Sequence, residues 1–103
     1  MDFYYAPETH GLQTIGEVDY AGDYEFTLAV LWRREADGAF LVGEDSGCSC
    51  PTPFEDQTLD DLRPTTYAEL AELLQAKNKE SHDGDRSAAI AELLERAHGA
   101  GLR

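Results

Sequence analysis

Hydrophobic and polar residues alternate along the first half of the chain and take helical spacing in the second half. The alternation is clearest from Tyr24 to Arg34. Tyr24, Phe26, Leu28, Val30 and Trp32 fall on one side, and Glu25, Thr27, Ala29, Leu31 and Arg33 fall on the other. A period of two is typical of a β-strand with one buried face. We therefore expect the wholly apolar side of this strand to be its core face.

Two more strands are predicted beside it. Residues 12–20 form a plausible first strand, with Gly16 at a bulge or a close approach of the backbone. Residues 35–38 form a turn in which Gly38 supplies the positive φ that such turns require. Residues 39–44 then return as the partner strand. The local pattern indicates an antiparallel meander of about three strands.

Two amphipathic helices are predicted after the sheet. Thr66 and Glu69 have the spacing of a capping box, and the first helix should end near Asn78. Asp85 can cap the second helix, and Gly99 stands where a C-terminal cap glycine belongs. The apolar stripes are Tyr67, Leu70, Leu73 and Leu74 in the first helix, and Ile90, Leu93, Leu94 and Ala97 in the second.

These patterns predict an α+β fold in which a small antiparallel sheet is followed by two amphipathic helices packed on one sheet face. We expect a single small domain over residues 1–103. Its β-rich part spans residues 1–62, and its two-helix part spans residues 65–99.

The segment from Glu44 to Asp56 separates the two parts and holds both cysteines. In an extended chain, residues two apart project to the same side, so Cys48 and Cys50 could direct both sulfurs at one point. The prolines that follow restrict the backbone there. The favoured interpretation is a rigid corner in which both cysteines are small buried residues and Phe54 is the hydrophobic anchor.

Other chemistry of this segment remains open. Structural zinc needs four ligands, and the candidates are Cys48, Cys50, His10 and His82, although no second pair has the usual short spacing. Asp45, Glu55 and Asp56 lack the glycine-punctuated spacing of a calcium loop. Neighbouring acids should raise the pKa of the thiols, which disfavours redox or nucleophilic chemistry.

The chain contains none of the familiar catalytic patterns, neither a phosphate-binding glycine loop with lysine nor His-Glu-x-x-His nor Gly-x-Ser-x-Gly. We therefore expect a protein that is not an enzyme and that needs no cofactor, with zinc as the alternative.

The charge is strongly negative and unevenly distributed. The formal net charge is −13, and residues 1–64 carry 14 acids and 3 bases. Such a surface repels nucleic-acid phosphates and favours a protein partner with a basic surface. No apolar run approaches the roughly 20 residues that span a bilayer. The N-terminus lacks the features of a signal peptide, so we expect a cytoplasmic protein without membrane contact.

Three stretches carry a resemblance to a known family: Tyr24-Glu25-Phe26, the hydrophobic strand that ends in Trp32-Arg33, and above all the segment from Asp45 to Glu55, Asp-Ser-Gly-Cys-Ser-Cys-Pro-Thr-Pro-Phe-Glu. Over roughly residues 4–62 the chain resembles a family of small uncharacterised proteins encoded mainly by phages and prophages of actinobacteria. The resemblance implies a phage gene expressed in a bacterial host cytoplasm and an accessory role. It implies no catalytic residue.

The leading hypothesis is a non-enzymatic phage accessory protein, an acidic interaction module that binds a host or phage protein. The candidate interaction residues are Asp45, Phe54, Glu55, Asp56, Asp60 and Asp61. The alternatives are a small zinc protein that uses Cys48 and Cys50, and a structural component that self-assembles through the apolar stripe of the second helix. The oligomeric state is left open.

Overall fold

The computed structural model describes residues 3–21, 25–48, 53–81 and 84–103, which form a four-stranded antiparallel sheet and two helices. The strands lie in the order β1-β2-β3-β4. Their bounds are β1 Leu12–Asp19, β2 Glu25–Arg34, β3 Phe40–Cys48 and β4 Arg63–Pro64, and the helices are α1 Tyr67–Glu80 and α2 Ser87–Gly99. The predicted α+β fold is confirmed, with one short strand more than expected. No helix within these described ranges is long and apolar enough to cross a membrane.

The first strand is bulged where the sequence places Gly16. The register between β1 and β2 shifts between Thr14 and Gly16. A Cβ at Gly16 would lie 2.7 Å from Cδ1 of Leu93 in α2. Both alternatives predicted for this glycine, a bulge and a close approach, are therefore present together.

The central strand β2 is buried on both faces, whereas one core face was predicted. Both helices pack on one face, here called the helix side, which carries Ala29 and Leu31. The opposite face, the outer side, carries Phe26, Leu28, Val30 and Trp32. On the helix side the partners include Val18, Val42, Leu70, Leu74, Ile90, Leu93 and Ala97. The sequence predicted a polar face here because Ala29 and Leu31 share it with polar residues. In the fold, these two residues pack against the helices.

The third strand is longer than the sequence predicts. It continues to Cys48 because Glu25 to Ala29 of β2 pair with residues 44–48 in regular antiparallel register. The first five residues of the segment between the sheet and the helices are therefore strand, and a corner can begin only after them. Residues 49–52, which include Cys50, lie outside the described residues.

The first helix starts with the predicted capping box, and at the second the predicted cap Asp85 stands one residue before the N-cap position, which is Arg86. Thr66 Oγ1 accepts a hydrogen bond of 3.2 Å from the Glu69 N–H, and the Thr66 hydroxyl donates to the Glu69 carboxylate at 3.0 Å. Asp85 Oδ1 accepts from both the N–H and the hydroxyl of Ser87, at 3.0 and 2.6 Å. Both side chains satisfy N–H groups that a helix leaves without internal partners.

The end of α2 uses a different glycine from the one predicted. Gly101, with φ 104°, adopts the positive φ, two residues beyond Gly99. The N–H of Leu102 donates to the Ala97 carbonyl at 2.9 Å, and the N–H of Gly101 donates to that of His98 at 3.0 Å. This is the Schellman arrangement, and it returns the apolar Leu102 to the core.

Candidate functional site

Residues 53–62, here called the strap, cross the outer side of the sheet between β3 and β4. The N–H of Phe54 donates to Asp45 Oδ2 at 2.6 Å, and Gln57 Nε2 donates to the Glu44 carbonyl at 2.8 Å. The N–H of Thr58 donates to Asp61 Oδ2 at 2.8 Å and caps a short 3-10 turn. Polar side chains thus hold an irregular segment against the sheet.

Phe54 lies in the outer core and not at the surface, so its ring is not accessible there for the partner contact that was predicted for it. Its exposure is 0%. Its ring stacks on Tyr4 with a centroid distance of 5.7 Å and meets Trp32 edge-on at 5.3 Å. The acidic residues around Phe54 in sequence indicate a surface position, but its contacts are with residues far away in the chain. Its placement agrees with the hydrophobic anchor that was also predicted for it.

The five acids predicted as interaction residues fall into two groups. Asp45 and Asp61 already accept hydrogen bonds that hold the strap. Glu55, Asp56 and Asp60 are exposed, and their carboxylates find no hydrogen-bond or ion-pair partner among the described residues. Only this second group is free to contact another molecule.

Two large hydrophobic side chains in the segments that cover the outer side are exposed, and the sequence analysis missed both. Tyr5 is 63% exposed and Leu59 is 41% exposed, and the described residues include no other such pair. The Tyr5 ring lies 5.0 Å from the Tyr4 ring, which in turn stacks on Phe54 of the strap. Leu59 lies in the strap itself and has polar residues on both sides in the sequence. An apolar residue in the run Gln-Thr-Leu-Asp-Asp was the signal that could have revealed it.

We call these exposed residues, which belong to the two segments that cover the outer side, the outer surface. It consists of Tyr5, Glu55, Asp56, Leu59 and Asp60. It combines exposed hydrophobic area with unpaired negative charge, a composition suited to contact with another macromolecule.

Tyr4 connects the outer surface to β1. Its hydroxyl donates to both carboxylate oxygens of Glu17, at 2.9 and 3.0 Å. Burial, followed by the hydrogen bond to Glu17 and its negative charge, raises the pKa of Tyr4 well above its ordinary value. Tyr4 therefore remains a neutral hydrogen-bond donor at physiological pH.

Glu44, on the helix side of β3, joins three elements. Its carboxylate is 2.8 Å from Arg63 Nη2 in β4 and 3.0 Å from Lys77 Nζ in α1. Burial by itself raises the pKa of Glu44, but the hydrogen bonds from Lys77 and Arg63 outweigh it, so the pKa lies below its ordinary value. The group borders an open polar cleft of about 220 Å³ lined by Thr27, Glu44, Asp45, Ser46 and Lys77. Because the charges compensate each other, this cleft is not a strong site for a charged ligand.

The residues proposed for zinc are only partly described. Cys48 ends β3, while Cys50 and His82 lie outside the described residues. His10 is exposed in a short 3-10 turn, with its ring edge-on to Phe3 at 6.3 Å. Within residues 3–21, 25–48, 53–81 and 84–103, no three His, Cys, Asp or Glu side chains are grouped to hold a metal ion. The zinc alternative stays a prediction.

A family model described as "Domain of unknown function (DUF7574)" matches residues 1–100. No curated protein and no solved structure matches the chain.

Proposed function

The chain belongs to the DUF7574 family, and we propose that it is a non-enzymatic acidic interaction module whose outer surface binds a protein with a basic surface. One observation carries the proposal. The two exposed large hydrophobic side chains of the described residues, Tyr5 and Leu59, belong to the two segments that cover the outer side, and three carboxylates without a partner among the described residues lie in the same strap as Leu59. Protein interfaces combine such apolar contacts with a polar rim.

Charge supports a basic partner. The strap carries four acids and no lysine or arginine. Two of the three bases in residues 1–64 are already engaged, because Arg34 pairs with Asp37 and Arg63 pairs with Glu44. The negative potential over the strap therefore acts on approaching molecules, and it accelerates association with positively charged surfaces.

Leu59 and Tyr5 supply the apolar part of the proposed contact. Long-range attraction alone gives little specificity, whereas desolvated hydrophobic and aromatic side chains carry much of the binding energy in protein interfaces. These two residues replace Phe54 as the proposed anchors.

A phage or prophage accessory role completes the proposal. The support for it is the resemblance to phage and prophage proteins over roughly residues 4–62. On this proposal the partner is a host or phage protein in a bacterial cytoplasm. The strongly acidic chain favours a protein partner over direct contact with nucleic acid.

The test is partner capture from cells of the source organism with matched charge-reversal variants. The outer-surface variant combines Glu55→Lys, Asp56→Lys and Asp60→Lys. The control combines Glu72→Lys, Glu80→Lys and Glu95→Lys, which are exposed positions of α1 and α2. The same three charges are reversed in both, so the nonspecific effect of net charge is the same.

We expect the outer-surface variant to lose a specific captured protein that the control variant retains. Circular dichroism should show that both variants are folded. Retention by both variants, or loss from both, would contradict the proposal. A Leu59→Ala variant should weaken capture without any change of charge.

The self-assembly alternative was based on the apolar stripe of α2, and it requires that stripe to be accessible. Ile90, Leu93 and Ala97 of the α2 stripe are 0–2% exposed in the core of the helix side. No observation among the described residues favours zinc over the proposed role, and native mass spectrometry under reducing conditions remains the direct test for a bound metal.

A further inference from the structure

We propose that the strap opens as a unit, exposing the outer side of the sheet at Trp32, while the sheet and the helix side remain folded. This inference concerns the isolated protein and goes beyond the proposed function, because it requires no partner. Four features of the strap and of the core beneath it carry the inference.

The first feature is the backbone of Phe54. Its φ of 64° lies in the left-handed region, and no other described non-glycine residue has a positive φ. In this conformation the Cβ of an L-residue crowds the backbone, so the residue persists there only when its surroundings enforce it. Here the enforcing contacts are the buried ring of Phe54 and the bond from its N–H to Asp45. The closed strap therefore holds a residue in an unfavourable conformation.

The second feature is an unpaired donor in the outer core. Trp32 is 0% exposed, and its Nε1–H has no hydrogen-bond partner among the described residues. The indole packs against Phe54 at 5.3 Å and against Phe3 at 5.4 Å. A buried donor without a partner destabilises the closed state, and contact with water would satisfy it. Opening of the strap would remove the Phe54 ring from the indole and admit water to the outer core around it.

The third feature is how the strap is attached. Its C-terminal end leads into β4, which pairs with β3 through two residues only. Between that end and Phe54, the polar links to the sheet among the described residues are the bonds to Asp45 and to the Glu44 carbonyl. The helix side is covered by two capped α-helices instead. Regions with few regular hydrogen bonds are those that open locally below the global unfolding free energy.

The fourth feature is charge. Glu55, Asp56, Asp60 and Asp61 lie within seven consecutive residues without a base among them. Their mutual repulsion opposes a compact strap and is relieved when the segment extends into water. All four features act in the same direction, against burial of Phe54 and Leu62.

Trp32 allows a direct test, because it is the single tryptophan of the chain and its indole N–H gives a separate NMR signal. The experiment measures hydrogen exchange of this N–H and of the Val30 and Leu31 backbone amides in the same sample, in increasing low concentrations of urea. After correction for intrinsic rates, we expect the indole to exchange at least about tenfold faster than those amides and with little dependence on urea, as local opening requires.

Two variants locate the opening. Asp45→Ala removes the acceptor of the Phe54 N–H. Its indole should exchange faster than the indole of the wild-type protein, while the Val30 and Leu31 amides remain protected. Asp37→Ala, in the turn between β2 and β3, is the control and should leave the indole rate unchanged. If Asp45→Ala fails to fold, Gln57→Ala removes the second polar link and replaces it in the comparison.

Equal protection of the indole and of the two amides, with the same urea dependence, would overturn the proposal, because Trp32 would then be exposed only by global unfolding. An Asp45→Ala variant that leaves indole exchange unchanged would also overturn it. Neither result would bear on partner capture through Glu55, Asp56 and Asp60.

Discussion

Gly43 lies where three side chains of the outer core converge. A Cβ built on it would be 2.6 Å from Leu62 Cδ2, 3.0 Å from Trp32 Cζ3 and 3.1 Å from Phe54 Cε1. Because glycine has no side chain, Leu62 and Phe54 of the strap can pack into the space that a Cβ would occupy. At this residue, the requirement for glycine comes from packing and not from φ.

Gly43→Ala should destabilise the protein. Insertion of a methyl group into a filled core costs about 1–3 kcal/mol, because Leu62, Trp32 and Phe54 would have to move. The measurement is urea unfolding followed by the far-UV signal of the helices, together with the emission of Trp32.

Gly99→Ala is the matched control. Nothing lies within 4 Å of a Cβ at Gly99, and this glycine is the last residue of α2. Alanine should leave the stability unchanged or raise it by up to about 1 kcal/mol. Similar losses in both variants would contradict the packing explanation of Gly43.

At the residue scale, local patterns predict positions that depend on near neighbours and miss those that depend on the fold. Gly38 and the Thr66 cap follow from turn and helix-start chemistry. The burial of Phe54 and the exposure of Leu59 are set by contacts across the sheet, which short-range spacing does not encode. The cap glycine was predicted two residues early because Gly99 and Gly101 offer the same local signal.

At the scale of elements, Glu44 is the link that ties β3 to β4 and to α1. Its carboxylate is 29% exposed and bonds to both Arg63 and Lys77. The linkage to pH follows from the lowered pKa of Glu44. A carboxyl whose folded pKa is depressed contributes stability above its ordinary pKa, and that contribution is lost as the pH falls through the folded pKa.

Glu44→Gln should therefore lower the free energy of unfolding near neutral pH, and the difference from wild type should shrink below about pH 4.5. The measurement is urea unfolding of both proteins from about pH 7 to about pH 3. Glu72→Gln, an exposed carboxyl of α1, controls for the loss of one charge. A Glu44→Gln difference that stays constant or grows on acidification would contradict this role.

The existence of the main strands and helices was predictable because each has a strong local period. The face of β2 on which the helices pack was not predictable. Both sides of β2 contain apolar residues, and only the packing of α1 and α2 on Ala29 and Leu31 decides between them. The length of β3 depends on its pairing with Glu25 to Ala29, and β4 exists through pairing alone.

For the whole molecule, repulsion among acids is the main long-range electrostatic term. The net charge is −13, against four ion pairs among the described residues. Exposed ion pairs contribute little each, whereas a large net charge destabilises the compact state as a whole.

Added salt should therefore stabilise the protein. Screening shortens the Debye length from about 30 Å at 0.01 M to about 10 Å at 0.1 M, which weakens repulsion between distant acids more than contacts within ion pairs. The urea midpoint should rise between these NaCl concentrations. Urea is the suitable denaturant, because guanidinium chloride would itself screen the charges. A falling midpoint would show that the ion pairs outweigh the repulsion.

The position of the only tryptophan beneath the strap has a consequence for any partner of the protein. A ligand that prefers the closed strap must shift the opening equilibrium toward that state, and it must bind more weakly to variants in which the open strap is well populated. Indole exchange measured with and without a bound protein therefore reports the coupling between contact at Leu59 and closure over Trp32. If the bound protein slows the exchange, the ratio of the two rates gives the coupling free energy, and no probe has to be attached to the chain.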